Sequence, residues 1–344
     1  MYPLNEILFL SISALVCGLN NWQATVIFGE QKIDWLRAYF PYKHGIPSPD
    51  TLERVFSAID PKQFEQCFRN WINEISSLTE GEVVAIDGKT IRGSYDKFTG
   101  TKAKHIVSAY AAQAHLCLGQ QVIDQKSNEI TAIPELLNVL SLKGCLVTID
   151  AMGCQREIAS KIRSKDADYL LAVKDNQKDL SDQVNKVFGL TAISSIDTQI
   201  NSEHGRIETR KCSVISNLKF LDGKEKWLDL NAIVRIETER FNKTTSKTNR
   251  EERYYISSGN FTAREFNTKV RSHWAVENNL HWMLDVSFGE DSSRRRKDSH
   301  AINFNIMAKT ALTLLKHSAQ KIPISHKKHK AILNDEYREK ILGF

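Results

Sequence analysis

From Gly81 onward the chain follows an order of patterns that restricts the fold more than any other feature it carries. EVVAID is a short β-branched run ending in Asp87, and HIVSAYAAQAH and LGQQVIDQ read as two more strands. EITAIPELLNVL then spaces its apolar residues at helical intervals, and CLVTID returns to a buried strand ending in Asp150. Gly119 marks a turn between the second and third strands, which predicts a hairpin. The helix supplies a crossover long enough to lay CLVTID parallel to a strand of the same sheet. CQREIASKIRSK continues as helix and ADYLLAV as strand, so the expected class is α/β, a mixed sheet flanked by helices.

Other patterns flank this core. Residues 1–78 read as a helical module, with Leu36, Phe40, Leu52, Val55, Phe56, Phe64, Phe68 and Trp71 recurring at three-to-four spacing. Within it GIPSPDTLERVF breaks one helix and starts another, with Ser48 or Asp50 as the cap. The main domain is then 79–344. Within it HGRIETRKCSVI, LNAIVRIETER and REERYYISS predict a β-rich insertion at about 190–260, after which helical spacing returns.

The run ILFLSISALVCGL has no basic flank and is shorter than the ~20 residues a bilayer span needs, so a buried helix and no membrane partner are expected. Six scattered cysteines without a C-x-x-C pair argue against a disulfide framework and a zinc knuckle, and fit a reducing cytoplasm. The net charge of +6 is concentrated in Arg294-Arg295-Arg296-Lys297 and in His326-Lys327-Lys328-His329-Lys330, a pattern suited to a polyanion.

Chemistry concentrates on the acids. Asp87 and Asp150 close strands that the topology can set side by side, and two carboxylates at one sheet end call for a cation. Asp87-Gly88 also reads as a turn dipeptide. A third carboxylate fits a two-metal site. Glu277 in RSHWAVENNLHWMLDV supplies it from a helix, with Glu290 and Asp291 as alternatives. The same helix spaces His273, Glu277 and His281 four residues apart, a zinc alternative without the H-E-x-x-H pattern. Trp274 and Trp282 read as core. Lys89, Arg92, Lys174, His204 and Arg206 follow or approach the acids in sequence and suit a nucleic-acid backbone.

AIDGKTIRGS, VTIDAMGCQ, YLLAVKDNQ, HGRIETR and HWAVENNLHWMLDVSFGED occur in one order. Together they resemble the H-repeat-associated branch of bacterial DDE-type insertion-sequence transposases, and GIPSPDTLERVFSAIDPKQFEQCFRNW resembles its N-terminal helical module. The resemblance implies a ribonuclease H-like catalytic core with an inserted β segment. It implies that Asp87, Asp150 and Glu277 bind two divalent ions, Mg2+ or Mn2+, for DNA cleavage and strand transfer. Double-stranded DNA is the implied partner, with a homodimer to pair two ends. The R-W-x-x-E segment of related transposases stands here as His273-Trp274-Ala275-Val276-Glu277. The wider Tyr, Arg and Lys signature is replaced by Val270, His273 and Leu284, leaving His273 and Arg271 as candidates for DNA contact. The alternative is a transposition-inactive DNA-binding derivative.

Overall fold

The nine strands found among the described residues belong to one sheet, ordered β3-β2-β1-β4-β5-β9-β8-β7-β6. The computed structural model describes residues 2–344 apart from Ser77, 124–127 and His204. Five helices lead: α1 Leu4–Val16, α2 Trp22–Gln31, α3 Ile33–Arg37, α4 Pro49–Ala58 and α5 Pro61–Ile75. The core follows as β1 Val83–Ile91, β2 Lys104–Ala111, β3 Leu116–Ile123, α6 Glu129–Val139, β4 Leu146–Ile149, α7 Arg156–Arg163, β5 Asp168–Val173 and α8 Lys178–Leu190. Strands β6 Ser195–Glu203, β7 Arg206–Ile215, β8 Ala232–Asn242 and β9 Thr248–Ser257 come next. The chain ends in α9 Ala263–His273, α10 Trp282–Phe288, α11 His300–His317, α12 Ile324–Leu333 and α13 Asp335–Leu342.

The crossover works as the sequence predicts. β1 and β4 pair in parallel, with Val84 opposite Val147 and Ile86 opposite Ile149. β4 pairs in parallel with β5 on its other side. Two expectations need correction. Asp87 does not close its strand, nor do Asp87 and Gly88 form a turn, because β1 stays paired with β2 from Val84 to Ile91. Gly119 lies inside β3 opposite Ala109, beside a register shift, and the hairpin reverses at 112–115 with His115 at φ 57°. The β-rich segment at 190–260 joins the same sheet, since β9 pairs antiparallel with β5.

Strand β6 has no counterpart in the sequence reading. Its residues SIDTQINSE alternate Ile196, Thr198 and Ile200 with polar residues, but Ile196 and Ile200 are exposed, and the strand pairs along its full length with β7. β7, β8 and β9 run past the end of β5. Val173 is level with Tyr254 and Arg235, while β7 and β8 remain paired out to Arg206 and Asn242.

The leading helices are set by their caps. Ser48, rather than Asp50, accepts from the Thr51 N–H and begins α4, and Asp60 caps α5 in the same way. Their apolar faces join a buried cluster that runs from Leu10, Leu15 and Phe56 to Val84 and Ile86 of β1 and Leu312 of α11. Each such side chain contributes about 1.5–3 kcal/mol by leaving water. α11 is buried nearly all round, which explains its apolar run INFNIMAKTALTLL. Among the described residues no helix is long and apolar enough to cross a membrane. The six cysteines are free, and all except Cys67 are buried.

The second basic run is not the uniformly solvated surface its composition suggests. Lys327 and Lys328 are buried, with Lys327 Nζ donating to the Leu315 carbonyl at 2.7 Å and Lys328 Nζ to the Ser287 carbonyl at 2.5 Å. Both carbonyls lie at or near the C-terminal end of a helix, where a cation is favoured. α11 is tied to the leading helices by Asn303, whose buried Nδ2 donates to the Phe56 and Ile59 carbonyls at 2.8 and 2.9 Å. Asn303→Ala leaves those carbonyls without their donor, so urea denaturation should show a loss of about 2 kcal/mol. A change below about 0.5 kcal/mol would contradict this role for Asn303.

Candidate active site

β4 stops at Ile149, so Asp150 leaves the sheet beside β1. Asp87 and Asp150 each directly follow the paired residues Ile86 and Ile149. The Asp150 carboxylate accepts from the Met152 N–H at 3.1 Å. α9 crosses the sheet face and ends at His273, and the backbone then makes one π-helical turn, Glu277–His281, before α10. A cavity of about 380 Å³ opens there, lined by Asp87, Asp150, Glu277, Lys174, His273 and Trp274 among others. Asp87, Asp150 and Glu277, from distant parts of the chain, thus share one cavity, with Asp175 and Glu252 also on its wall.

Their environment disfavours negative charge. Burial is the main reason the Asp87 carboxyl is pushed up to about 6, and the charges of Asp150, Glu129 and Glu277 act in the same direction against the Gly88 N–H. Asp150 is also raised, first by burial and then by Glu129. The N–H groups of Gly153 and Met152 and the charge of Lys174 oppose that shift.

The π-helical turn separates residues that regular α spacing would align. Glu277 is exposed at the cavity, while His281 is buried with Nδ1 3.5 Å from Asp87 Oδ2. Burial, together with the nearby Lys309 and Lys89, pushes the His281 ring down to about 3, so it is neutral. Two lysines pin the turn. Lys316 Nζ donates to the Asn279 carbonyl at 2.7 Å and to the Tyr110 hydroxyl oxygen at 2.8 Å, and Lys89 Nζ lies 3.4 Å from the His281 carbonyl. Wide turns of this kind occur often at functional sites.

The zinc set is not assembled. His273 pairs its Nδ1 with the Thr148 hydroxyl at 3.0 Å, whereas His281 faces Asp87. Among the described residues no three His, Cys, Asp or Glu side chains enclose a metal position by themselves. The donors at the cavity are carboxylate oxygens, which suit a hard ion that keeps water or phosphate oxygens in its remaining positions.

The alternative third acids are occupied elsewhere. Glu290 is buried 3.2 Å from Lys89 Nζ and accepts from Asn305, and Asp291 accepts from the Arg92 N–H at 3.2 Å. Lys89 therefore sits in an internal ion cluster, closed by Asp285 at 2.5 Å, rather than on a surface open to phosphates. Arg92, Lys174, Arg206 and Arg271 are exposed, Arg206 at the far end of β7. His273 is half-buried with its ring pushed down to about 4 by burial. His204 lies outside the described residues. Trp274 and Trp282 are not core, being 40% and 56% exposed, and the Arg253 guanidinium lies over Trp274 at 5.0 Å.

Glu129 escaped the sequence reading because an acid in the first turn of a helix is ordinary. Its Oε1 is 2.7 Å from His105 Nε2, and both side-chain ends pack on Gly88, so a Cβ there would displace them. Close approach, rather than a turn, is the reason for glycine beside Asp87.

The β1–β2–β3 hairpins joined in parallel through β4 and β5 define a ribonuclease H-like α/β protein, extended here by β6–β9. The family model described as "Transposase DDE domain" matches residues 78–314, and the one described as "DDE_Tnp_1-associated" matches 1–72. The chain belongs to the DDE transposase family. It is 43% identical to "Putative transposase YncI" of Escherichia coli O157:H7, covering 99% of this chain and 90% of that one. It is 40% identical to "H repeat-associated putative transposase YhhI" of Escherichia coli K12, covering 99% and 93%. Among solved structures, a cryo-EM synaptic complex of piggyBac transposase with hairpin DNA aligns with a TM-score of 0.44 at 10% identity, covering 98% of this chain and 72% of that one.

Asp87 links the site to stability. A folded-state value near 6 against an ordinary 3.8 means that ionising Asp87 destabilises the fold as pH rises through that interval. In chelator at pH 7, Asp87→Asn should raise stability by about 1–2 kcal/mol, with the advantage disappearing by pH ~4. Thermal melts of both proteins across this range check it. An equal or lower melting temperature for the variant at pH 7 would refute the electrostatic penalty.

Proposed function

We propose that the protein is a metal-dependent insertion-sequence transposase that cuts and transfers DNA strands by in-line phosphoryl transfer. Asp87, Asp150 and Glu277 are its metal-holding residues, and two ions, Mg2+ or Mn2+, are their ligands. The observation that carries this reading is the convergence of those three acids on one cavity, with Asp87 held near 6 by burial and by the other acids. A divalent cation removes the repulsion that the chain alone leaves unrelieved. Bound ions would supply Lewis-acid activation of water or a DNA 3′-hydroxyl.

The chain's own part is to hold and orient. Burial on β1 fixes Asp87, backbone N–H groups orient Asp150, and the pinned π-helical turn presents Glu277. Lys174 adds positive charge beside Asp150, where a phosphate would approach. Arg92, Arg206 and Arg271 are exposed to meet the backbone of double-stranded DNA, with His204 and His273 as further candidates. His273 is more occupied with Thr148, and Lys89 is a brace for the acids rather than a DNA contact. A homodimer that pairs two DNA ends fits strand transfer. Retention of all three acids favours an active enzyme over a DNA-binding derivative.

Asp150→Asn and Glu277→Gln should each lower Mg2+-dependent nicking of DNA carrying the gene's genomic flanks by about a hundredfold or more. Affinity for the same DNA, measured in chelator, should change by less than about threefold. Nicking at the wild-type rate by either variant would remove that residue from the site.

A further inference from the structure

The connection between β1 and β2 holds an aromatic side chain where folding alone gives no reason for one. Phe98 is 98% exposed, although its loop is ordered by several hydrogen bonds. Asp96 accepts from the Phe98 N–H at 3.0 Å and the Thr99 hydroxyl at 2.9 Å, while Asp96 and Thr101 pair across the base. Thr99 and Thr101 hydroxyls meet at 2.8 Å, and Gly100 takes φ 68° to close the turn. Single exposed apolar residues are common on surfaces, but here the whole ring stands in water at the tip of a built turn.

The surroundings of that ring are basic. Lys97 and Lys102 flank it in sequence and are exposed, and Arg92 at the base of the loop is exposed as well. The loop also packs on a second basic segment. Gly93 lies against the Ser293 carbonyl with no room for a Cβ, and the Arg92 N–H donates to Asp291. Exposed Arg296 comes near enough to Asp96 to help lower that carboxyl. Arg295 is the exception in RRRK, half-buried with its guanidinium over Phe304 at 3.2 Å. The surface thus combines an exposed ring with positive charges from two packed loops.

We propose that this loop is a DNA-engaging finger in which Phe98 wedges into or stacks on a nucleobase while Arg92, Lys97, Lys102 and Arg296 neutralise adjacent phosphates. The proposal rests on the DNA-processing reading above, because β1 carries both Asp87 and the finger. From Asp87 to Arg92, at the base of the finger, is about 15 Å of strand. Apolar wedges flanked by cations are an established means of unstacking base steps and bending DNA. Base–aromatic stacking tolerates any sequence, since every base presents a π face. Charge complementarity favours duplex DNA as the occupant, and an anionic membrane surface is the competing partner for the same chemistry.

The test uses the full chain in chelator, so it needs no catalysis. The probes are duplexes of the gene's flanking sequence labelled with fluorescein, or containing 2-aminopurine at successive positions. Phe98→Ala should weaken binding about tenfold and abolish a position-specific rise in 2-aminopurine fluorescence, with the salt dependence unchanged. Lys97→Ala/Lys102→Ala should lower the slope of log affinity against log salt by about 2 and leave that rise at saturating protein. Wild-type affinity and fluorescence in Phe98→Ala would overturn the proposal. Phe98-dependent binding to phosphatidylserine vesicles without any effect on DNA would overturn it in favour of a membrane. Absence of DNA binding by the wild-type chain would overturn the functional reading and the finger together, whereas wild-type-like DNA binding by Phe98→Ala would overturn the finger alone.

Discussion

The parallel pairing of β1 with β4 is the constraint on which the rest depends. It sets Asp87 and Asp150 one residue beyond paired neighbours, on adjacent strands that burial holds rigid. Two acids so placed repel, and Glu277 and Glu129 add to that repulsion. The core accepts this local cost because hydrophobic burial around β1 and α11 is much larger. The divalent cation proposed for this site would relieve that repulsion.

Around this pair the remaining charges are arranged to avoid competing with it. Lys89 is the first cation after Asp87 along β1, yet it turns into a closed cluster with Asp285 and Glu290. That cluster engages Asp285, Glu290 and Asp291, whereas Glu277 is exposed at the cavity. Lys316, from α11, reaches the π-helical turn from beneath. Helices distant in sequence are thereby committed to the orientation of one short segment. The helical start of the chain contributes through the same core, since α11 packs on α1, α4 and α5 and on β3.

Much of the fold was legible because period and order are local signals. The strand-strand-strand-helix-strand order, its parallel crossover and the helical beginning could each be read from runs of a few residues. What escaped depended on partners. β6 is mostly polar and pairs along its full length with β7, and the strand beyond Asp87 persists because β2 holds it. Trp274 and Trp282 look like core by type, but the π-helical turn and the open face of α10 leave them exposed. Lys327 and Lys328 look solvated by type, but helix ends draw them inside. The acids were legible as candidates through strand order and family resemblance. The roles of Glu129, His105 and His281 beside Asp87 could not be read, because spacing does not reveal which side chain crosses a sheet end to meet another.

The most direct measurement is Mn2+ binding to the full chain by calorimetry at pH 6 in buffers of different ionisation enthalpy. An Asp87 that is about half protonated must lose that proton when the ion binds, so about half a proton should be released per Asp87-linked ion. Release should fade toward pH 8, and Asp150→Asn should weaken the binding. Mn2+ binding with no proton release and no sensitivity to Asp150, or no Mn2+ binding at all, would contradict a cation site built on these acids.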